Sequence, residues 1–175
     1  AGAGTRLARG GRLVSVTPWL ADAWTQLAAR RAAARFPHAV LVAGPAGLGK
    51  REFASDLVSA LLCRAPLASG LACGRCKTCV LVAARTHPDR MVVTLEPNDE
   101  GVMRAEIVVE QIRALSARLA MRPHAGGMQV ALVDPADLLN PNAANALLKT
   151  LEEPAADSVI VLVADQPSRL PATIR

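Results

Sequence analysis

Residues 39–51 read AVLVAGPAGLGKR, and this stretch decides the fold. The apolar residues 39–43 run without alternation, as in a strand buried on both faces of a sheet. A glycine-rich turn follows: Gly44, Pro45, Ala46, Gly47, Leu48, Gly49 and then Lys50. A helical pattern opens at Arg51 and runs to Leu62. Strand, Gly-rich turn, lysine and helix in that order make a phosphate-binding loop. Glycines let backbone N–H groups turn inward around phosphate oxygens, and the helix N-terminus adds positive potential. Lys50 is placed to reach the outer phosphates. An ordinary strand-to-helix turn is the plainer reading, but it leaves the spacing and the lysine unexplained.

Working outward, three more short apolar runs recur at residues 91–95, 130–133 and 159–163, rich in Val and Leu. Helical patterns separate them. Val108, Ile112, Leu115 and Leu119 form a stripe before the third run, and residues 142–153 precede the fourth, with Pro154 as a stop. Strand alternating with helix predicts an α/β parallel sheet with right-handed crossovers. Ahead of the first strand, residues 18–35 are Ala-rich with helical spacing, and Trp19, Leu20, Trp24 and Leu27 are the expected buried positions. Residues 1–15 are Gly- and Arg-rich with no apolar period, which reads as a flexible leader.

The eighth position of the loop is wrong for catalysis. A hydrolysing loop carries Ser or Thr there, whose hydroxyl holds Mg²⁺. Here it is Arg51. A guanidinium cannot ligate a cation. It is expected either to serve as a phosphate counter-charge or to point to solvent. The third apolar run ends in Asp134, an acid that can hold Mg²⁺ through water or simply cap a turn. The next position, where a glutamate would activate the attacking water, is Pro135. Metal ligand and general base are both missing, so no catalytic residue is assigned. The loop residues with Arg51 and Asp134 read as a degenerate nucleotide site in which ATP or ADP binds weakly or not at all.

All four cysteines, Cys63, Cys73, Cys76 and Cys79, fall between the first and second strands. Such clustering in an intracellular chain argues for metal over disulfides. Four thiolates suit a closed, tetrahedral, structural Zn²⁺ site with no open position for chemistry. An iron–sulfur cluster is the rival, since ferredoxin runs also begin Cys-x2-Cys-x2-Cys. Unligated thiols are the third reading. His87, eight residues beyond Cys79, reads as a turn residue and not a ligand.

Composition bounds the remaining classes. Half the chain is hydrophobic and a fifth is charged, which is globular and not disordered. No apolar run is long enough for a membrane helix, and the N-terminus lacks a signal peptide's apolar core, which reads as cytoplasmic. The formal charge of +5 is compatible with nucleic acid nearby. Aromatics at 2% argue against a protein that binds single strands by base stacking.

The string NALLKTLEEP at residues 145–154 resembles the signature of the clamp-loader subunits of bacterial DNA polymerase III. Read from its pattern alone, it is an amphipathic helix with Leu147, Leu148 and Leu151 inward. The four-Cys insert, THPD at residues 86–89 and His38 match the same family, and the resemblance covers about residues 16–175. It implies an AAA+ module of the P-loop NTPase fold, with a small zinc module at about residues 63–79. The family contains hydrolysing gamma/tau subunits and a non-hydrolysing delta prime subunit. Arg51 and Pro135 depart from the hydrolysing pattern and point to the delta prime branch. In the family an ATP-sensing Thr typically ends the fourth strand; residues 164–167 read ADQP here, a further departure that weakens any sensor role.

The implied partners are the gamma/tau and delta subunits, and through the assembly the sliding clamp and primer–template DNA. The family's arginine finger, fifth strand, lid and collar are expected beyond Arg175. A hydrolysing gamma/tau-like subunit and a zinc-knuckle nucleic-acid binder are the alternatives.

Overall fold

The computed structural model describes residues 18–174. The leader expected at residues 1–15 and the terminal Arg175 lie outside the described residues. Among the described residues five α-helices and four strands follow in this order: α1 Ala21–Ala32, β1 Ala39–Ala43, α2 Lys50–Leu62, α3 Lys77–Ala83, β2 Arg90–Val93, α4 Val109–Leu119, β3 Gln129–Val133, α5 Pro141–Glu152 and β4 Ser158–Ala164. The strands form one sheet in the order β1-β4-β3-β2, and every pairing is parallel.

Side chains along a strand point alternately to opposite faces, so each inner strand feeds two cores. On one face Val130, Leu132, Val159, Val161 and Val163 pack with α2 and with Trp24 of α1. The rings of Trp24 and Phe53 meet edge-to-face with centroids 5.7 Å apart. On the other face Ala131, Val133, Ile160 and Leu162 pack against α4 and α5. Covering both faces explains why β3 and β4 are buried at every residue. The outer strands do not meet that expectation. Only Val42 of β1 is fully buried, and Val92 of β2 is exposed, because each has one sheet neighbour among the described residues.

The stripe on α4 buries Ile112, Leu115 and Leu119, while Val108 becomes the residue ahead of the helix. On α5, Leu147 is fully buried and Leu148 and Leu151 are half-buried. Asn140 caps α5 by accepting the Ala143 N–H at 2.8 Å, and Pro141 opens the helix. No helix among the described residues is long and apolar enough to cross a membrane.

One expected core residue is misplaced. Trp19 is 62% exposed, because residues Pro18–Leu20 form a short 3-10 turn and not the first turn of α1. The changed winding turns Trp19 away from the Trp24 face. Its indole N–H donates instead to the Leu48 carbonyl at 3.2 Å, so the ring lies beside the glycine-rich loop.

Candidate functional site

Parallel strands in register end together, and their ends build the site. β1 pairs Ala43 with Ala164, and β3 pairs Val133 with Leu162. The glycine-rich loop, Asp134 and Asp165 therefore leave the same edge of the sheet. The Gly44 N–H donates to the Ala164 carbonyl at 3.2 Å and ties the loop to β4. Gly49 precedes α2 with φ of +79°, a left-handed conformation that favours glycine and aims the next residues into the helix. Pro45, Ala46, Gly47 and Leu48 stay exposed between these two anchors.

Lys50 is buried at 4% exposure. Its ammonium sits 2.6 Å from the Asp165 carboxylate and donates to the Pro45 carbonyl, also at 2.6 Å. Arg51 points neither to solvent alone nor to open phosphate space. Its Nε contacts both Asp134 oxygens at 3.0 and 3.1 Å, and its second arm reaches Asp165 at 3.1 Å. The two cations therefore face two carboxylates. Lys50 first, and Arg51 with it, hold the Asp165 carboxyl below its ordinary range. Burial pushes the Asp134 carboxyl up, against the pull of Arg51. The hydrogen bond to Asp165 raises the Arg51 guanidinium further.

Asp165 and Asp137 are the site residues that sequence reading missed. Asp137 is buried and accepts the Asp165 and Gln166 N–H groups at 3.3 and 3.0 Å, which fixes the turn that carries Asp165. Pro135 follows Asp134 and offers no proton acceptor on its side chain.

The cysteines gather at a second place. Cys63 ends α2, Cys76 precedes α3, Cys79 lies within α3, and Cys73 comes from the loop between these helices. Their four sulfurs all lie within 4.8 Å of one another. Cys63 and Cys76 are 3.9 Å apart, as are Cys73 and Cys79. A zinc–sulfur bond of about 2.3 Å sets the edge of a thiolate tetrahedron at about 3.8 Å, so the donor set fits. The Cys73 and Cys76 backbone N–H groups donate to the sulfurs of Cys63 and Cys73 at 3.3 and 3.4 Å. The Thr78 hydroxyl, 3.0 Å from the Cys76 sulfur, is the main reason that thiol is pulled down to about 5. Burial drives the Cys79 thiol up to about 12.

The segment that carries Cys73 is fastened to α1. Gly70 has φ of +80°, and a Cβ there would lie 2.7 Å from the Ala28 Cβ, so only glycine lets the loop pack this closely. The Trp24 indole donates to the Ser69 carbonyl at 3.0 Å, and Arg31 donates to the Cys63 carbonyl at 3.1 Å. His87 is not among the gathered ligand atoms. Its buried Nδ1 accepts the Asp89 N–H at 3.1 Å, which makes it part of the turn before β2.

A parallel sheet with this loop at its carboxyl edge and helices on both faces is an α/β fold of the P-loop type, and it carries a four-Cys cluster between its first two strands. The chain belongs to the DNA polymerase III, delta subunit, family, whose description matches residues 19–175. It is 46% identical to the DNA polymerase III subunit delta' of Pseudomonas aeruginosa over 93% of this chain. It is 39% identical to the subunit delta' of Escherichia coli over 90% of this chain. The subunit tau of Bacillus subtilis is 30% identical over 80% of this chain and 23% of its own length. The chain spans about half the length of the delta' relatives it matches, 47% and 46%. Among solved structures, a gamma subunit-related protein from Thermotoga maritima superposes with a TM-score of 0.52 at 16% identity, covering 88% of this chain and 42% of its own. That likeness is one of fold.

Proposed function

We propose that the chain is the N-terminal module of a non-hydrolysing, delta prime type subunit of the DNA polymerase III clamp loader, which helps place the sliding clamp on primed DNA. The observation that carries the reading is Arg51. It holds the position where a hydrolysing loop offers a hydroxyl to Mg²⁺, and it pairs with Asp134, the acid that would hold the metal's water. A guanidinium there repels a metal cation, and Pro135 supplies no base for water. The kinship to delta' relatives supports the same branch. The partners of this reading are the gamma/tau and delta subunits, and through them the clamp and primer–template DNA.

Residues 16–175 form the AAA+ module, and residues 63–79 hold a structural zinc ion. The separation of the four sulfurs supports zinc, and a closed set of four thiolates leaves the ion no catalytic position. The test of function is steady-state phosphate release from Mg²⁺-ATP by the full-length protein, alone and assembled with tau and delta. The expected result is no turnover from this subunit and stable assembly. Turnover above background by the isolated subunit would assign it to the hydrolysing branch instead.

A further inference from the structure

We infer that the Asp165 carboxylate takes the place of a phosphate in the glycine-rich loop and thereby excludes nucleotide. The inference deepens the reading of the loop as a degenerate phosphate site. Lys50 is the side chain that reaches phosphate in such loops. Here its buried ammonium is already satisfied by Asp165 and by the Pro45 carbonyl, each at 2.6 Å. A buried charge left unpaired is costly, so the pair holds unless a partner replaces it. Arg51 closes the arrangement by bridging Asp134 and Asp165, and the four formal charges cancel. No net positive charge remains to draw in a polyanion. A phosphate approaching Lys50 would meet the Asp165 carboxylate and be repelled.

Asp165 is held in place from behind. It leaves the end of β4, and Asp137 accepts its N–H together with that of Gln166. The substitute anion is therefore built into the sheet edge and is not a wandering surface acid. The loop keeps its folded shape because its lysine is satisfied from within, with no need of ligand.

The test uses the full-length protein and fluorescent ADP without Mg²⁺. The wild type is expected to show no saturable binding up to about 1 mM. Asp165→Asn keeps the size of the side chain but removes its charge, and should bind at least about tenfold more tightly than wild type. Adding Lys50→Ala to Asp165→Asn should abolish the gain. In parallel, inorganic phosphate is titrated into labelled wild type while the Gly47 and Gly49 amide resonances are followed, with no saturable shift expected. Wild type binding ADP as tightly as Asp165→Asn, a folded Asp165→Asn with no gain, or saturable phosphate shifts in wild type would each overturn the inference. Those results would leave the proposed function standing, because that reading turns on hydrolysis and assembly.

Discussion

Zinc titrated into metal-free, reduced protein should bind once per chain and release at least one proton but fewer than four. The lower bound comes from Cys79. Burial pushes its thiol up to about 12, so it carries a proton at neutral pH that must leave before the sulfur can ligate. The upper bound comes from Cys76. The Thr78 hydroxyl stabilises its thiolate and brings it to about 5, so at pH 7 that proton has already gone. Calorimetry in two buffers of different protonation enthalpy counts the protons directly. Structural zinc in small peptides binds with an apparent free energy of about 10–16 kcal/mol, so the titration should be stoichiometric at micromolar protein. Release of four protons, or of none, would refute the electrostatic reading of the sulfurs. Iron in freshly purified protein would refute the zinc assignment itself.

Loss of a single sulfur ligand should be felt beyond the cysteine loop. Gly70 packs on Ala28, Trp24 bonds to Ser69, and Arg31 bonds to Cys63, so α1 shares its inner face with this segment. Hydrogen exchange should therefore quicken in α3 and α1 of Cys76→Ser while β3 and β4 keep their protection. Exchange that quickens uniformly across the sheet would show that the cluster is needed for the whole fold.

Arg51→Thr should restore a metal-binding hydroxyl without restoring turnover, since Pro135 still lacks a base; phosphate release checks this. Its ion pairs are half-exposed, so the change should shift the free energy of unfolding by no more than about 1 kcal/mol in urea melts. Asp137→Ala leaves the Asp165 and Gln166 N–H groups without their acceptor and should cost about 2 kcal/mol, read as a lower urea midpoint at unchanged slope. Burial lowers the His87 pKa, so its NMR titration midpoint should fall below about 6.5. The unfolded chain takes up that proton first, so the stability from a neutral His87 is complete above the ordinary value and is lost as pH falls toward the folded one.

The loop and the inner strands were legible because their signals are local. Residues 130–133 and 159–163 read as continuous apolar runs, and both strands are buried throughout. Trp19 and Trp24 look alike in a helical stripe, and only the tighter turn at Pro18–Leu20 separates them. The four cysteines declared a cluster by number and spacing, but Gly70 gave no sign of its contact with Ala28. Asp165 was legible only as a departure at the end of the fourth strand. Its role depends on a partner 114 residues away, and no local pattern pairs Arg51 with it.

The position of Asp165 also gives the substitutions at the loop a common physical cause. Once a hydroxyl is replaced by Arg51, Asp134 gains a fixed counter-charge and no longer requires a metal ion. A second cation beside Lys50 would leave the edge of the sheet with surplus positive charge, which Asp165 removes by pairing with both. The arrangement keeps the glycine-rich turn in shape with protein groups doing what metal and phosphate do in a hydrolysing relative. Loss of any one of the four charges should therefore disturb the loop more than loss of an oppositely charged pair together. The double variant Arg51→Thr/Asp134→Asn should accordingly melt closer to wild type than Asp134→Asn alone, and a strictly additive double variant would refute the coupling.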